Sequence, residues 1–259
     1  MRMMKKVLGT VTVLALSVSL LAGCGSTAAS PVSSAASTAA ESTTSSVVSE
    51  TTSAAADENE AAAAQLLNDL TGSYQELWPV ILADEYKQTW LDDCTALVGE
   101  DNAEAAFEKL SSMVTSDVYG EDAVEAYANG GGAYFCGFTN SLATLTFDGE
   151  TSTISGTDKD GNVLFSHTYH YIGMEPVHGL YEFESDDADS GEFTYFFLAP
   201  DTSAETYHIE FRYGSDAEAL SQYDAGEYAY WVASGISTDC DQTMIDNCIE
   251  LFCTENLAG

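Results

Sequence analysis

Histidine is scarce in this chain, four among 259 residues, and so are groupings of side chains that could do chemistry. One grouping stands out. His208 and Glu210 lie two apart in the stretch Thr206–Tyr213, where Tyr207, Ile209, Phe211 and Tyr213 are the alternate positions. That alternation predicts a strand, and residues i and i+2 of a strand share a face. An imidazole and a carboxylate on one face can approach a single divalent cation. The same spacing also lets Glu210 pair with Arg212, leaving His208 as a hydrogen-bonded strand residue. Both readings are open at this level.

Other candidates are weaker. His167 and His170 stand three apart on a predicted strand, hence on opposite faces, and His178 precedes Gly179 in a loop. Each reads best as a surface or packing histidine. The acidic stretches Asp158–Asn162 and Asp186–Gly191 lack the glycine and glutamate positions of a calcium-binding helix–loop–helix, so they read as hairpin turns. The chain has no Gly-x-Ser-x-Gly elbow, no Ser-x-x-Lys, no phosphate-cradling glycine loop and no His-Glu-x-x-His. The expectation is a binding protein and not an enzyme.

The elements that would position His208 fall into two groups. From Glu58 to about Tyr127 apolar residues recur at three- and four-residue spacing: Leu66, Leu67 and Leu70, then Leu77, Trp78, Ile81, Leu82, Tyr86 and Trp90. Pro79 interrupts them with a turn or a first helical turn. Further helical pieces cover Ala103–Val114 and Glu121–Tyr127. From Leu142 the period changes to two. Strands are predicted to Phe147, over Thr151–Ser155, Asn162–Ile172, Gly179–Glu184, Glu192–Leu198 and Thr206–Tyr213, with Asp148-Gly149 and Asp158–Gly161 as hairpin turns. Helix returns at Ser215–Tyr223 and from Thr238 to about Phe252. The fold class is α+β, a small antiparallel barrel decorated by helices.

Charge and the N-terminal quarter bound the setting. Past Gly23 the chain holds four basic side chains against 42 acidic ones. Such a surface repels phosphate backbones and anionic lipid, which excludes nucleic-acid binding, and it favours cations. Residues 1–24 read as a signal peptide: a basic start, an apolar run Val7–Leu21 too short to span a bilayer, then Leu21-Ala22-Gly23-Cys24, which resembles a lipobox. Cys24 is the expected lipid-attachment site. Residues 25–60 follow as a tether; 25 of the 31 residues from Ser26 to Ala56 are Ser, Thr or Ala. With no apolar face to bury, burial cannot offset the entropy of ordering it. Residues 61–259 form the working domain. The protein is expected outside the cytoplasm, anchored to a bacterial membrane through Cys24. Five further cysteines, an odd number, cannot all pair within the chain.

The order of motifs over about residues 65–255 resembles the ZinT (YodA) family of exported zinc-binding proteins. Thr71–Pro79 is similar to the family's opening segment. Gly179–Glu184 with Ser190–Tyr195 is similar to its central strand pair. Thr206–Ile209, then Gly214 and Asp216–Leu220, is similar to its metal-binding strand and following helix, and Tyr228–Trp231 stands at its aromatic turn. The resemblance implies a calycin/lipocalin-like antiparallel β-barrel with flanking N- and C-terminal helices, and Zn²⁺ as the bound ion. It also implies capture for import or homeostasis, with an ABC-type zinc importer or its receptor as partner. The family's His-x-His pair and loop histidine are not kept: an alignment on Gly214 puts His208 and Glu210 at the pair, one on His208-Ile209 puts Thr206 and His208 there, and Asp201 stands near the loop position. Such a mixed nitrogen–oxygen set also admits other divalent cations. The competing expectation is a lipid-anchored calycin-like module for a small organic ligand or a partner protein, with a degenerate metal site.

Overall fold

The computed structural model describes residues 47–199 and 208–258, and side chains from residue 58 onward. The chain divides into the units Met1–Ala56 and Asp57–Gly259, and every described strand belongs to the second. Cys24, the signal segment and residues 25–46 of the expected tether lie outside the described residues, as does Asp201; residues 47–60, expected as tether, are helical.

Eight strands pair in chain order and close on themselves into an antiparallel barrel. They are β1 (Gly72–Glu76), β2 (Thr144–Asp148), β3 (Thr153–Thr157), β4 (Val163–Met174), β5 (Tyr181–Ser185), β6 (Tyr195–Leu198), β7 (His208–Gly214) and β8 (Ala233–Ser237). Among the described residues seven helices accompany them: α1 (Val47–Asp69), α2 (Leu77–Ile81), α3 (Lys87–Val98), α4 (Glu100–Met113), α5 (Glu121–Ala128), α6 (Ala217–Leu220) and α7 (Gln242–Leu257). The α+β barrel with flanking helices read from the sequence is the fold observed.

Two strands depart from the expectation. The stretch before Pro79 is not continuous helix: β1 interrupts it and closes the barrel, pairing Gly72–Tyr74 with Phe147–Leu145 of β2 and Tyr74–Glu76 with Ser237–Gly235 of β8. The other closing strand, β8, was not anticipated. Both closures join residues far apart in sequence, so no local turn announces them.

Where turn chemistry is local, it holds. Asp148-Gly149 joins β2 to β3, with Leu145 opposite Gly156 and Phe147 opposite Ile154. The Asp158 carboxylate accepts the Asp160 and Asn162 backbone N–H groups at 2.9 and 2.8 Å, as a hairpin turn requires. The side-chain and backbone bonds from Asn162 hold that carboxyl below the usual range. Asp241 caps α7 by accepting from Met244 N at 3.0 Å, and Asp216 caps α6.

Two apolar cores result. Inward residues of the strands fill the barrel with rings: Phe147, Phe183, Phe196, Phe211 and Tyr213 are each at most 1% exposed. Phe196 lies 5.4 Å from Tyr213 and 5.9 Å from Phe165. A barrel of eight strands is just wide enough for side chains to fill. The second core lies outside the barrel, where Trp78, Ile81, Trp90, Cys94, Leu110, Ile249 and Cys253 pack with Ile236 of β8. Trp90 ties this layer together: its indole N–H donates to the Ile81 carbonyl at 2.7 Å, and its ring meets Phe107 of α4 and Phe252 of α7.

Candidate functional site

Along β7, Ile209, Phe211 and Tyr213 point into the barrel, so the opposite parity places His208 and Glu210 on its outer face. That face is covered by the second core. His208 and Glu210, both half-buried, line one cleft with Leu77, Trp78 and Ile81 of α2 and with Cys248, Leu251, Phe252 and Glu255 of α7. Cys248 and Glu255 are two helical turns apart, with Leu251 and Phe252 between them on the same stripe. The cleft offers about 30 Å³, enough for one or two water-sized groups and too small for an organic ligand.

The site is thus an acidic notch with one imidazole, an apolar wall and a thiol within it. Burial, with a lesser contribution from Cys240, pushes the Cys248 thiol up to about 12, so it is a neutral wall group at ordinary pH. Burial likewise raises Cys136, and the Glu210 charge adds to that rise, which places the carboxylate within electrostatic range of this thiol. Among the described residues, no group of three or more His, Cys, Asp or Glu side chains is set to hold a metal ion. The structure brings His208 and Glu210 together and leaves Asp201 undescribed.

Arg212, the alternative partner of Glu210, is engaged elsewhere. It is wholly buried and donates to the carbonyls of Leu220, Gln222 and Tyr228, with its guanidinium carbon 4.3 Å from the centre of the Tyr223 ring. This overturns the Glu210–Arg212 pair as a reading of the strand. Burial lowers the Arg212 pKa; carbonyl oxygens, not a carboxylate, supply its hydrogen bonds. Sequence periodicity placed Arg212 on a face but had no means of showing that the turn after α6 folds over it.

The remaining histidines have carboxylate neighbours of their own. His167 Nδ1 lies 2.8 Å from Asp187, and His170 Nδ1 2.8 Å from Asp186. His178 Nδ1 is 3.6 Å from Glu175 Oε2, and its ring lies 3.8 Å from that of Tyr223. Glu175, wholly buried, accepts the backbone N–H groups of Val177 and His178, so it organises the β4–β5 turn. These placements fit the surface or packing roles expected of the three, His170 being exposed. Glu255 and Cys248 are the site residues that the sequence reading missed. The only available signal was that they extend the apolar stripe of α7 by one turn at each end of Leu251–Phe252.

No family model matches the chain, and no curated protein matches it. Among solved structures it is similar to the Zn(II)-bound ZinT-like domain of Streptococcus pneumoniae AdcA, with a TM-score of 0.45 and 15% identity, over 71% of this chain and 89% of that one. It is also similar to Zn(II)-bound AdcA from Streptococcus pneumoniae, with a TM-score of 0.42 and 14% identity, over 72% of this chain. There the match spans 35% of the longer protein.

Proposed function

We propose that this protein is an extracytoplasmic lipoprotein that captures Zn²⁺ and hands it to an import or homeostasis system. The observation that carries the reading is the pairing of His208 with Glu210 in a cleft of ionic size, with Glu255 at its rim. Neutral imidazole and carboxylate suit a borderline divalent ion, and a chain with 42 acidic residues attracts cations to its surface. Asp201, seven residues before His208 in sequence, is the proposed third ligand. In this scheme His208 supplies the nitrogen donor that discriminates against magnesium and calcium, while the carboxylates offset the ion's charge. The apolar wall of Leu77, Trp78, Ile81 and Phe252 limits water and strengthens each contact. Cys24 carries the lipid and the Ser/Thr/Ala-rich residues 25–46 ahead of α1 form the leash, with a reach of roughly 25 Å by random-coil scaling. An ABC-type importer or its receptor would receive the ion.

One observation favours the competing reading of a binding module for an organic ligand. A second, more open groove of about 330 Å³ runs between Glu76, Trp78, Pro79, Leu82, Phe135 and Gly137. The ring-filled barrel interior does not offer such a place. Calorimetric titration of the purified, metal-stripped protein with zinc separates the two readings. A saturable one-to-one binding heat well below millimolar zinc supports the first, and no heat below millimolar zinc removes it.

A further inference from the structure

Two thiols in the outer core meet across a helix pair. Cys94 of α3 and Cys253 of α7 are 159 residues apart in sequence, both wholly buried, and their sulfurs lie 3.9 Å from each other. The contact follows from the two apolar stripes. Trp90 and Cys94 are one turn apart on α3, and Ile249 and Cys253 one turn apart on α7, so the helices pack with these faces inward. Such a distance is ordinary contact between unbonded sulfurs. A disulfide needs about 2.05 Å, a closure that rotation about the two Cα–Cβ bonds can deliver if the backbones lie within bridging range.

We propose that Cys94 and Cys253 form an intramolecular disulfide that locks α7 onto α3. The step is thiol–disulfide exchange with a small-molecule disulfide: one thiolate attacks it, releasing the first small thiol and leaving a mixed disulfide. The second protein thiolate then attacks the protein sulfur of that mixed disulfide. One Sγ–Sγ bond forms, the small molecule's S–S bond breaks, and its two sulfurs leave as thiols carrying the two protons lost by the cysteines. Burial raises both thiol pKa values, so exchange belongs to the folding chain or to local opening of α7 and is slow in the closed state. The consequence reaches the cleft. Cys248, Leu251, Phe252 and Glu255, which wall it, belong to the helix that this bond would fix. Pairing two of the five cysteines beyond Cys24 leaves Cys136, Cys240 and Cys248 as thiols, the odd remainder that the count requires.

The test is to refold the full chain in oxidised and reduced glutathione, block remaining thiols and digest with trypsin. Cys94 then lies on the peptide Gln88–Lys109, and Cys253 on Tyr213–Gly259 with Cys240 and Cys248. A linked pair of these peptides is expected in the wild type and in Cys240→Ser and Cys248→Ser, and is lost in Cys94→Ser and Cys253→Ser. Reductant should lower the thermal midpoint of the wild type and leave those of Cys94→Ser and Cys253→Ser unchanged. Absence of the linked peptides from the refolded wild type overturns the proposal, and so does their persistence in Cys253→Ser. Should Cys253→Ser fail to refold, Cys94→Ser and the wild-type peptides still decide.

Discussion

His208 and Arg212 sit on the same outward register of one strand, and their surroundings give them opposite tasks. Arg212 is sealed under the turn after α6, where its guanidinium satisfies three carbonyls. Arg212→Leu would leave those oxygens buried without donors, each at a cost of about 1–3 kcal/mol, and Arg212→Lys cannot reproduce the planar fork. We expect both variants to lower the denaturation midpoint by several degrees, measured by circular dichroism, with Arg212→Lys no better than halfway to the wild type. His208 is half-buried beside a cleft, so its loss should be felt first in binding. For the same reason the strand's chemistry was only half legible. Alternation gives the face of each residue, but what covers that face is decided by chain folded far away in sequence.

Elements whose signals are local were read correctly: the Asp148-Gly149 hairpin, the Asp158 turn and the apolar stripe of α7. The closing strands escaped for physical reasons. β1 reads GSYQE and β8 reads ASGIS, neither with the apolar alternation of a half-buried strand. Gly235 of β8 is small because a Cβ there would come within 3.0 Å of Ile209 Cγ1, a constraint that exists only once β7 and β8 are paired. The leucines of α1 and α2 on either side make β1 look like one more helical turn. The outer layer hinges on Trp90, which touches α2, α4 and α7. Trp90→Ala should cost about 3–5 kcal/mol in chemical denaturation, the range for truncating a buried aromatic residue. Trp90→Phe keeps most of the ring but leaves the Ile81 carbonyl without its donor, at about 1–3 kcal/mol. A smaller loss for Trp90→Ala than for Trp90→Phe would contradict this account of the layer.

At the scale of the molecule, an acidic chain folds around a tyrosine-rich interior. Burial raises Tyr74 and Tyr127 to about 12, and lifts Tyr169, Tyr213 and Tyr223 further still. In the unfolded chain these phenols ionise near 10. A folded pKa above the unfolded one means stability that is fully present below about pH 10 and is lost as pH rises from there towards 12 and beyond. Tyrosinate absorbance followed from pH 9 upward should therefore show an early step for exposed phenols and a late one that coincides with loss of structure by circular dichroism. All 14 tyrosines titrating together near 10 in the folded protein would contradict the buried placements. The same acidity that sets the surface potential attracts cations, yet it supplies carboxylates everywhere and so conceals which of them matter.

The central claim is that His208 and Glu210 hold a divalent ion in the cleft under α7. Zinc titration of the metal-stripped wild type and His208→Ala, with the thermal midpoint of each, tests it most directly. Loss of the one imidazole in the set should weaken zinc by at least about 10–100-fold, since removing even an outer partner of a ligand costs that much. The midpoint of the apo protein should change little, because His208 is only half-buried. Equal zinc affinity in the two proteins, or a lowered midpoint with binding unchanged, would make His208 a residue of the strand and nothing more.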